Sequence, residues 1–326
     1  MQVKNQKIVV LGTGGTIAGE SISASEGLSY KAAQRGIEVL LQSVAEIGQG
    51  LPETLASFQF ESEQVAQLDS KDMDFATWRH LAQRCQAWLS HEDVKAVVIT
   101  HGTDTLEETA YFLSQVIVAN KPIVLTCAMR PANFKDADGP QNLRDALTVA
   151  AVAQGAGVWM VAAGEIHHSQ HVQKVHPTRI NAFDSGEAGV AGTVKADQVT
   201  WRLDFKAVLK PSALTHLDLA EVTAWPWVEV ILNHVQAEAK LVDLLVKAGV
   251  QGLVVAGTGN GSVGIALKAG LMRAQAAGIQ VCLASRCNQG PVVVTETHAF
   301  PVLPGLSPVK ARVALMLDIL SKQQSH

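Results

Sequence analysis

Short apolar runs rich in Val and Ile recur along the chain: Ile8–Leu11, Ala96–Thr100, Pro122–Ala128, Val158–Ala163, Val228–Leu232, Gly252–Ala256 and Ile279–Ala284. Each is as long as a strand buried on both faces. Between several of them lie segments whose apolar positions repeat with helical period. In Asp74–Leu89, the side chains Phe75, Trp78, Leu81, Ala82, Cys85 and Leu89 share one stripe. Glu107–Val118, Gln141–Ala153, Ala237–Ala248, Val263–Ala277 and Pro308–Leu320 follow the same rule. Ser307 stands as an N-cap before Pro308, and Gly249 and Gly278 sit where helices are expected to stop.

Alternating strands and helices predict an α/β fold with a mostly parallel sheet flanked by helices. Periodicity fades between Asp204 and Trp225, a segment that includes Pro211. The predicted organisation is a larger N-terminal domain over 1–204, a linker over 205–225 and a smaller α/β C-terminal domain over 226–326. Ala146–Gly164 carries no charge and is about as long as a membrane span. Gln154, Gly155 and Gly157 interrupt it, so it reads as the end of a helix, a glycine turn and a buried strand.

Composition narrows the function. The 326 residues are 48% hydrophobic and 17% charged, which is outside the disordered range. A net charge of −4 and an aromatic content of 5% favour neither nucleic acid nor an anionic membrane surface. Cys85, Cys127, Cys282 and Cys287 form no CxxC pair and read as free thiols in a reducing compartment. The apolar run after the polar residues 1–7 is too short for an export signal, so a cytoplasmic location is expected.

In open parallel sheets, ligands bind beyond the carboxyl ends of the strands, so chemistry is sought just after Leu11, Thr100, Ala128, Ala163, Ala256 and Ala284. After the first lies Gly12-Thr13-Gly14-Gly15-Thr16-Ile17-Ala18-Gly19. It is no dinucleotide fingerprint, because position 17 is Ile, and no Walker loop, because Gly-Lys-Ser/Thr is missing. It reads as a glycine-framed loop that presents a hydroxyl and backbone N–H donors. After the second lies Thr100-His101-Gly102-Thr103-Asp104-Thr105-Leu106-Glu107-Glu108-Thr109, opening a helix. Thr105 and Glu108 have capping-box spacing, but capping does not account for a further Thr, Asp and His.

Met129-Arg130-Pro131-Ala132-Asn133 and Asp138-Gly139-Pro140-Gln141-Asn142 read as a polar loop and a helix cap. Gly257-Thr258-Gly259-Asn260-Gly261 reads as a glycine turn, with Asn260 as a candidate to reach towards the first domain. His167, His168 and His171 have metal-like spacing but lack HExxH and any carboxylate pattern beyond Glu165, so no metal site is expected.

Together these segments resemble the bacterial-type L-asparaginase/glutaminase family. The resemblance rests on Thr13–Gly19, His101–Ala110, Ala128–Pro131, Asp138-Gly139, Asn142-Leu143, Gly257–Gly261 and Ser285-Arg286, and in order and spacing it covers essentially the whole chain. It implies hydrolysis of a side-chain carboxamide without metal or cofactor. By resemblance, Thr16 is the primary nucleophile and Tyr30 the loop tyrosine that assists it. Thr103 and Asp104 match the second catalytic threonine and its acidic neighbour, and Lys174 the lysine that activates Thr103. Ser70 matches the serine that binds the substrate α-carboxylate. The resemblance implies that Gly15, Lys71, Gly102 and Ala128 line the same site. Asn260 and Glu296 resemble second-domain residues that reach a neighbouring subunit's site in a homodimer or homotetramer with shared active sites.

Two features depart from the exported members of that family. Lys71 replaces a Gln beside the substrate serine, and His91 and Ala119 fall near where a disulfide is expected. Two like charges about 4 Å apart repel by roughly 4 kcal/mol at an effective dielectric of about 20. An inward-facing Lys71 would therefore select against a substrate ammonium. The expected function is an L-asparaginase, with glutamine as a second amide. Competing readings are a hydrolase of a modified or des-amino amide, an amidotransferase subunit, and a non-catalytic amino-acid-binding protein. The amidotransferase subunits carry an extra N-terminal domain, whereas the first motif here begins at Gly12.

Overall fold

The computed structural model describes residues 6–21, 30–46, 50–117, 120–153, 157–202, 214 and 217–324. Two compact units divide the chain, Met1–Thr215 and His216–His326. Most of the segment expected as a linker lies outside the described residues, as do Ala119, Gln154 and Gly155.

In the first unit, the strands are β1 (Lys7–Gly14), β2 (Glu20–Ser21), β3 (Tyr30–Lys31), β4 (Gln59–Leu68), β5 (Val94–Thr100), β6 (Pro122–Thr126), β7 (Gly157–Ala162), β8 (Glu165–His168), β9 (Gln173–Lys174), β10 (Phe183–Asp184), β11 (Gly192–Lys195) and β12 (Gln198–Trp201). Its helices are α1 (Ile37–Glu46), α2 (Phe75–Leu89), α3 (Leu106–Val116) and α4 (Gly139–Val152). Eight strands form one sheet in the order β12-β11-β8-β7-β6-β5-β1-β4. Pairings from β4 through β7 are parallel, and β8, β11 and β12 extend the sheet antiparallel. Alternation sorts the side chains onto two faces. Ile8, Val10, Ala96, Val98 and Val124 pack with Leu143 and Leu147 of α4 and with Leu40 and Val44 of α1. α2 and α3 pack on β5 and β7 and on each other, and Val9, Leu11, Val97 and Ile99 are fully buried as well. Strand β4 and helix α1 have no counterpart in the apolar pattern. β4 is an edge strand, half covered, and its sequence QFESEQVAQL alternates without a continuous apolar run.

The second unit has β13 (Val228–Leu232), β14 (Gly252–Gly257) and β15 (Gln280–Ser285) in one parallel sheet, with α5 (Lys240–Ala248), α6 (Ile265–Ala276) and α7 (Pro308–Gln324). Ile231, Leu253, Val255, Val281 and Leu283 form its core with Val242 of α5 and Leu267 and Leu271 of α6, while α7 packs on all three strands. Gly249 closes α5 in the left-handed conformation at φ 92°. Among the described residues, no helix is long and apolar enough to cross a membrane.

One buried acid gives the first unit a pH signature. Arg144 makes a bidentate pair with Asp197 at 2.8 Å for both contacts. Beside it, burial raises the carboxyl of Asp145 from 3.8 to about 6, although Gln141 donates to it at 2.8 Å. Folding therefore favours the neutral acid. The resulting stability is fully present below the unfolded value and is lost as pH rises through about 6. Asp145→Asn is expected to stabilise the fold by about 2 kcal/mol at pH 7.5 and by less at pH 5. Thermal unfolding of both proteins at the two pH values measures this; an equal gain at both would show that burial of the carboxylate is not its origin.

Candidate active site

The loop after β1 is shaped by backbone constraints. Gly15 has φ 80° and ψ −172°, a region that side chains other than glycine avoid. A Cβ there would lie 2.3 Å from the Cα of Gly102, so the loops after β1 and β5 touch at these two glycines. Thr16 follows in a three-residue 3-10 turn and is 5% exposed. Its hydroxyl lies 2.7 Å from the phenolic oxygen of Tyr30. The β2–β3 pairing sets Tyr30 opposite Ser21 and so brings it to the threonine. The residues that join those two strands, 22–29, lie outside the described residues.

A second hydroxyl is served from a distant segment. Lys174, in the two-residue strand β9, donates to Thr103 Oγ1 at 2.8 Å and to Asp104 Oδ1 at 2.6 Å. The lysine side chain is 16% exposed and the Asp104 side chain 53%. Among the described residues, the side-chain hydrogen bonds to the Asp104 carboxylate fall on Oδ1. Ser70 is buried, and its Oγ accepts from the Asp104 N–H at 3.2 Å. A Cβ on Gly102 would lie 2.5 Å from the same Oγ. Thr16–Tyr30 and Thr103–Asp104–Lys174 are thus two polar clusters on loops joined through Gly15, Gly102 and Ser70.

One expectation changes on contact with the structure. The capping box does not form: Thr105 is the N-cap of α3 without a side-chain cap bond, and its hydroxyl donates to the Ser70 carbonyl at 2.7 Å. Lys71 pairs with Asp69 at 2.5 Å and lies 3.6 Å from Asp72, with its side chain 61% exposed. Its positive charge is therefore offset by two carboxylates next to it. Ala128 is buried at the end of β6. Asn260 and Glu296 belong to the second unit. Asn260 is folded onto the main chain of Val293, donating at 2.9 Å and accepting at 2.7 Å. Glu296 is exposed in the same stretch.

The loop after β6 does more than cap a helix. Asp138 accepts from the N–H groups of Met129 and Arg130, both at 2.9 Å, while burial raises its carboxyl above the usual carboxylate range. Asn142 donates to the Cys127 carbonyl and accepts from the Ala163 N–H, tying the ends of β6 and β7. Asn133 bonds both main-chain groups of Ser21, and the Ala132 N–H bonds the Gly19 carbonyl. This loop therefore holds the segment that follows Thr16, a supporting role that local sequence pattern gave no reason to assign. The imidazoles at metal-like spacing turn to different partners: His167 meets Ser185 at 2.9 Å, while His168 packs edge-on against Trp159 with its ring centroid 5.7 Å from that of His171. Among the described residues, no group of three His, Cys, Asp or Glu side chains is placed to hold a metal ion.

Comparison with known proteins gives matches over nearly the whole of this chain. The sequence family described as "Asparaginase, N-terminal" matches residues 7–207, and "Glutaminase/Asparaginase C-terminal domain" matches residues 227–326. L-asparaginase 2 of Bacillus subtilis is 36% identical over 96% of this chain and 82% of its own length. Glutaminase-asparaginase of Pseudomonas fluorescens is 33% identical over 99% of this chain and 89% of its own. The crystal structure of a probable cytoplasmic L-asparaginase from Campylobacter jejuni superposes with a TM-score of 0.86 at 31% identity, covering 98% of each chain.

Proposed function

Because this chain belongs to the bacterial-type asparaginase family, we propose that it is an amidohydrolase converting L-asparagine to L-aspartate and ammonia. The observation that carries the mechanism is the pair of hydroxyls, Thr16 beside Tyr30 and Thr103 beside Lys174, on loops that meet at Gly15 and Gly102. A threonine hydroxyl is a weak nucleophile until a neighbouring group takes its proton. In this reading, Thr16 Oγ1 adds to the side-chain carbonyl while its proton leaves through Tyr30. Backbone N–H groups of the glycine-framed loop hold the tetrahedral oxyanion, each donor typically contributing about 10²–10³ in rate. The C–N bond breaks, ammonia departs with the transferred proton, and an ester remains on Thr16. Water adds to that ester while its proton passes through Thr103 to Lys174, which acts in this step as the free amine; that proton is then returned to Thr16 Oγ1 as aspartate leaves. No step calls on a metal or cofactor. The buried hydroxyl of Ser70 and the open Asp104 carboxylate are the groups proposed to hold the substrate's α-carboxylate and ammonium.

The Asp69 and Asp72 carboxylates beside Lys71 favour asparagine over a des-amino amide, since a compensated lysine does not repel the substrate ammonium. An ammonia-release panel of asparagine, glutamine, succinamate and N-acyl asparagine tests the reading. Asparagine is expected to lead in kcat/KM in wild type and in Lys71→Gln alike. A wild-type preference for succinamate would instead identify a des-amino amidase, and no release from any amide would point to a binding protein.

The assembly proposed is a homodimer or homotetramer in which Asn260 and Glu296 complete a neighbour's site. The second unit supports this by leaving Val235 95%, Ile265 92% and Val293 66% exposed, a cost to an isolated subunit in water. The cytoplasmic reading draws on the free thiols, three of them buried, and on the cytoplasmic description of the solved relative.

A further inference from the structure

One buried imidazole at the site has no part in the proposed reaction. His101 is fully buried at the end of β5. Its Nδ1 lies 2.7 Å from the Gly102 carbonyl, and its Nε2 lies 3.0 Å from Thr109 Oγ1 on α3. Trp78 on α2 donates its indole N–H to that same Thr109 oxygen at 2.9 Å. The direction of every bond follows from what each group is able to do. An indole nitrogen only donates, so the Thr109 oxygen accepts from it and keeps its own proton available for His101 Nε2. A carbonyl only accepts, so Nδ1 carries the imidazole's proton. Burial agrees, lowering the His101 pKa to about 4 and keeping the ring neutral. Both ring nitrogens are engaged, so His101 is not a free base. What it holds is the Gly102 peptide, where the loops of Thr16, Ser70 and Thr103 converge.

Building on the asparaginase reading, we propose that His101 is a positioning residue: the Trp78–Thr109 chain locks it as the Nδ1–H tautomer, whose one proton holds the Gly102 carbonyl and so fixes the Gly102–Thr103 peptide next to the Gly102 Cα that packs against Gly15. Displacing a reacting group by about 1 Å costs up to about 10²-fold in rate, so the consequence belongs in kcat.

Thr109→Val keeps the side-chain shape and removes the hydroxyl, and Thr109→Ser restores it. With asparagine as substrate, Thr109→Val is expected to lower kcat by about tenfold to a hundredfold, with KM changed by less than about threefold. Thr109→Ser is expected to recover most of the rate. In protein labelled with ¹⁵N-histidine, one neutral Nδ1–H ring should persist at pH 5.5 and lose that tautomer signature in Thr109→Val. Should the valine variant fail to fold, Trp78→Phe removes the N–H that orients Thr109, together with part of the ring stacked on Phe112, and is read in the same two ways. Wild-type kcat with an unchanged tautomer in Thr109→Val, or serine as impaired as valine, would overturn the inference. Absence of ammonia release from wild type would instead defeat the asparaginase reading, while the tautomer measurement would still decide the geometry.

Discussion

Thr16→Ala is expected to lower kcat for asparagine by at least about three orders of magnitude while leaving the protein folded. The size of the loss follows from the proposed role: without the Thr16 oxygen no ester forms, and only the slower direct attack of water remains. The fold should tolerate the change. Among the described residues the hydroxyl's hydrogen bond is to Tyr30, and losing such a bond costs about 1 kcal/mol. The glycine-dependent geometry at Gly15 is untouched, because it comes from the backbone. Activity and thermal unfolding, measured on the same preparation, separate the two effects. Rapidly quenched wild type, digested and weighed, should carry a transient acyl mass on the Thr16 peptide. If that mass appeared on the Thr103 peptide, with Thr16→Ala still active, the two hydroxyls would exchange roles. Lys174 would then serve the attacking oxygen rather than the water.

The parts of this molecule that were legible in advance share a physical property: their signal is local. β1, β5 and β6 are covered on both faces, so Ile8–Leu11, Val97–Ile99 and Ile123–Leu125 are continuous apolar runs. β4 is covered on one side and reads as mixed polarity. The antiparallel extension through β8, β11 and β12 rests on four-residue strands too short to show a period. The two threonine loops announce themselves because glycine-framed hydroxyls follow apolar strands. Their partners do not. Lys174 lies 71 positions from Thr103, in a segment whose conspicuous residues are imidazoles, and only resemblance singled it out. Thr105 illustrates the converse error. Its spacing to Glu108 is that of a local cap, but its hydroxyl is used across the fold on Ser70. Likewise Asp138 sits where a helix cap belongs and spends its carboxylate on the N–H groups of the preceding loop. Short-range pattern reports what the backbone does next; it is silent on which distant group a polar side chain meets.

Lys174 supplies the second large effect. Lys174→Met keeps most of the length of the side chain, removes its amine, and leaves Thr103 and Asp104 in place. The expected loss is about 10²–10⁴-fold in kcat, the range for a positioned proton-transfer group. Stability should change little, because the unpaired Asp104 carboxylate is 53% exposed and water solvates it. Arginine distinguishes the two things Lys174 could do. A guanidinium preserves the positive charge and the pairing with Asp104, but it does not give up its proton near neutral pH. If Lys174 takes the proton that Thr103 relays from the attacking water, Lys174→Arg stays within about tenfold of the methionine variant. If the lysine acts only as a fixed charge that orients Thr103, arginine restores most of the rate. The first outcome is expected: Lys174 Nζ contacts the Thr103 oxygen directly at 2.8 Å, closer than orientation through Asp104 alone requires, since the Thr103–Asp104 contact is a long 3.5 Å. Single-turnover kinetics places the defect, because a failure to activate water leaves the acyl form of Thr16 to accumulate, whereas a failure to orient the first attack does not.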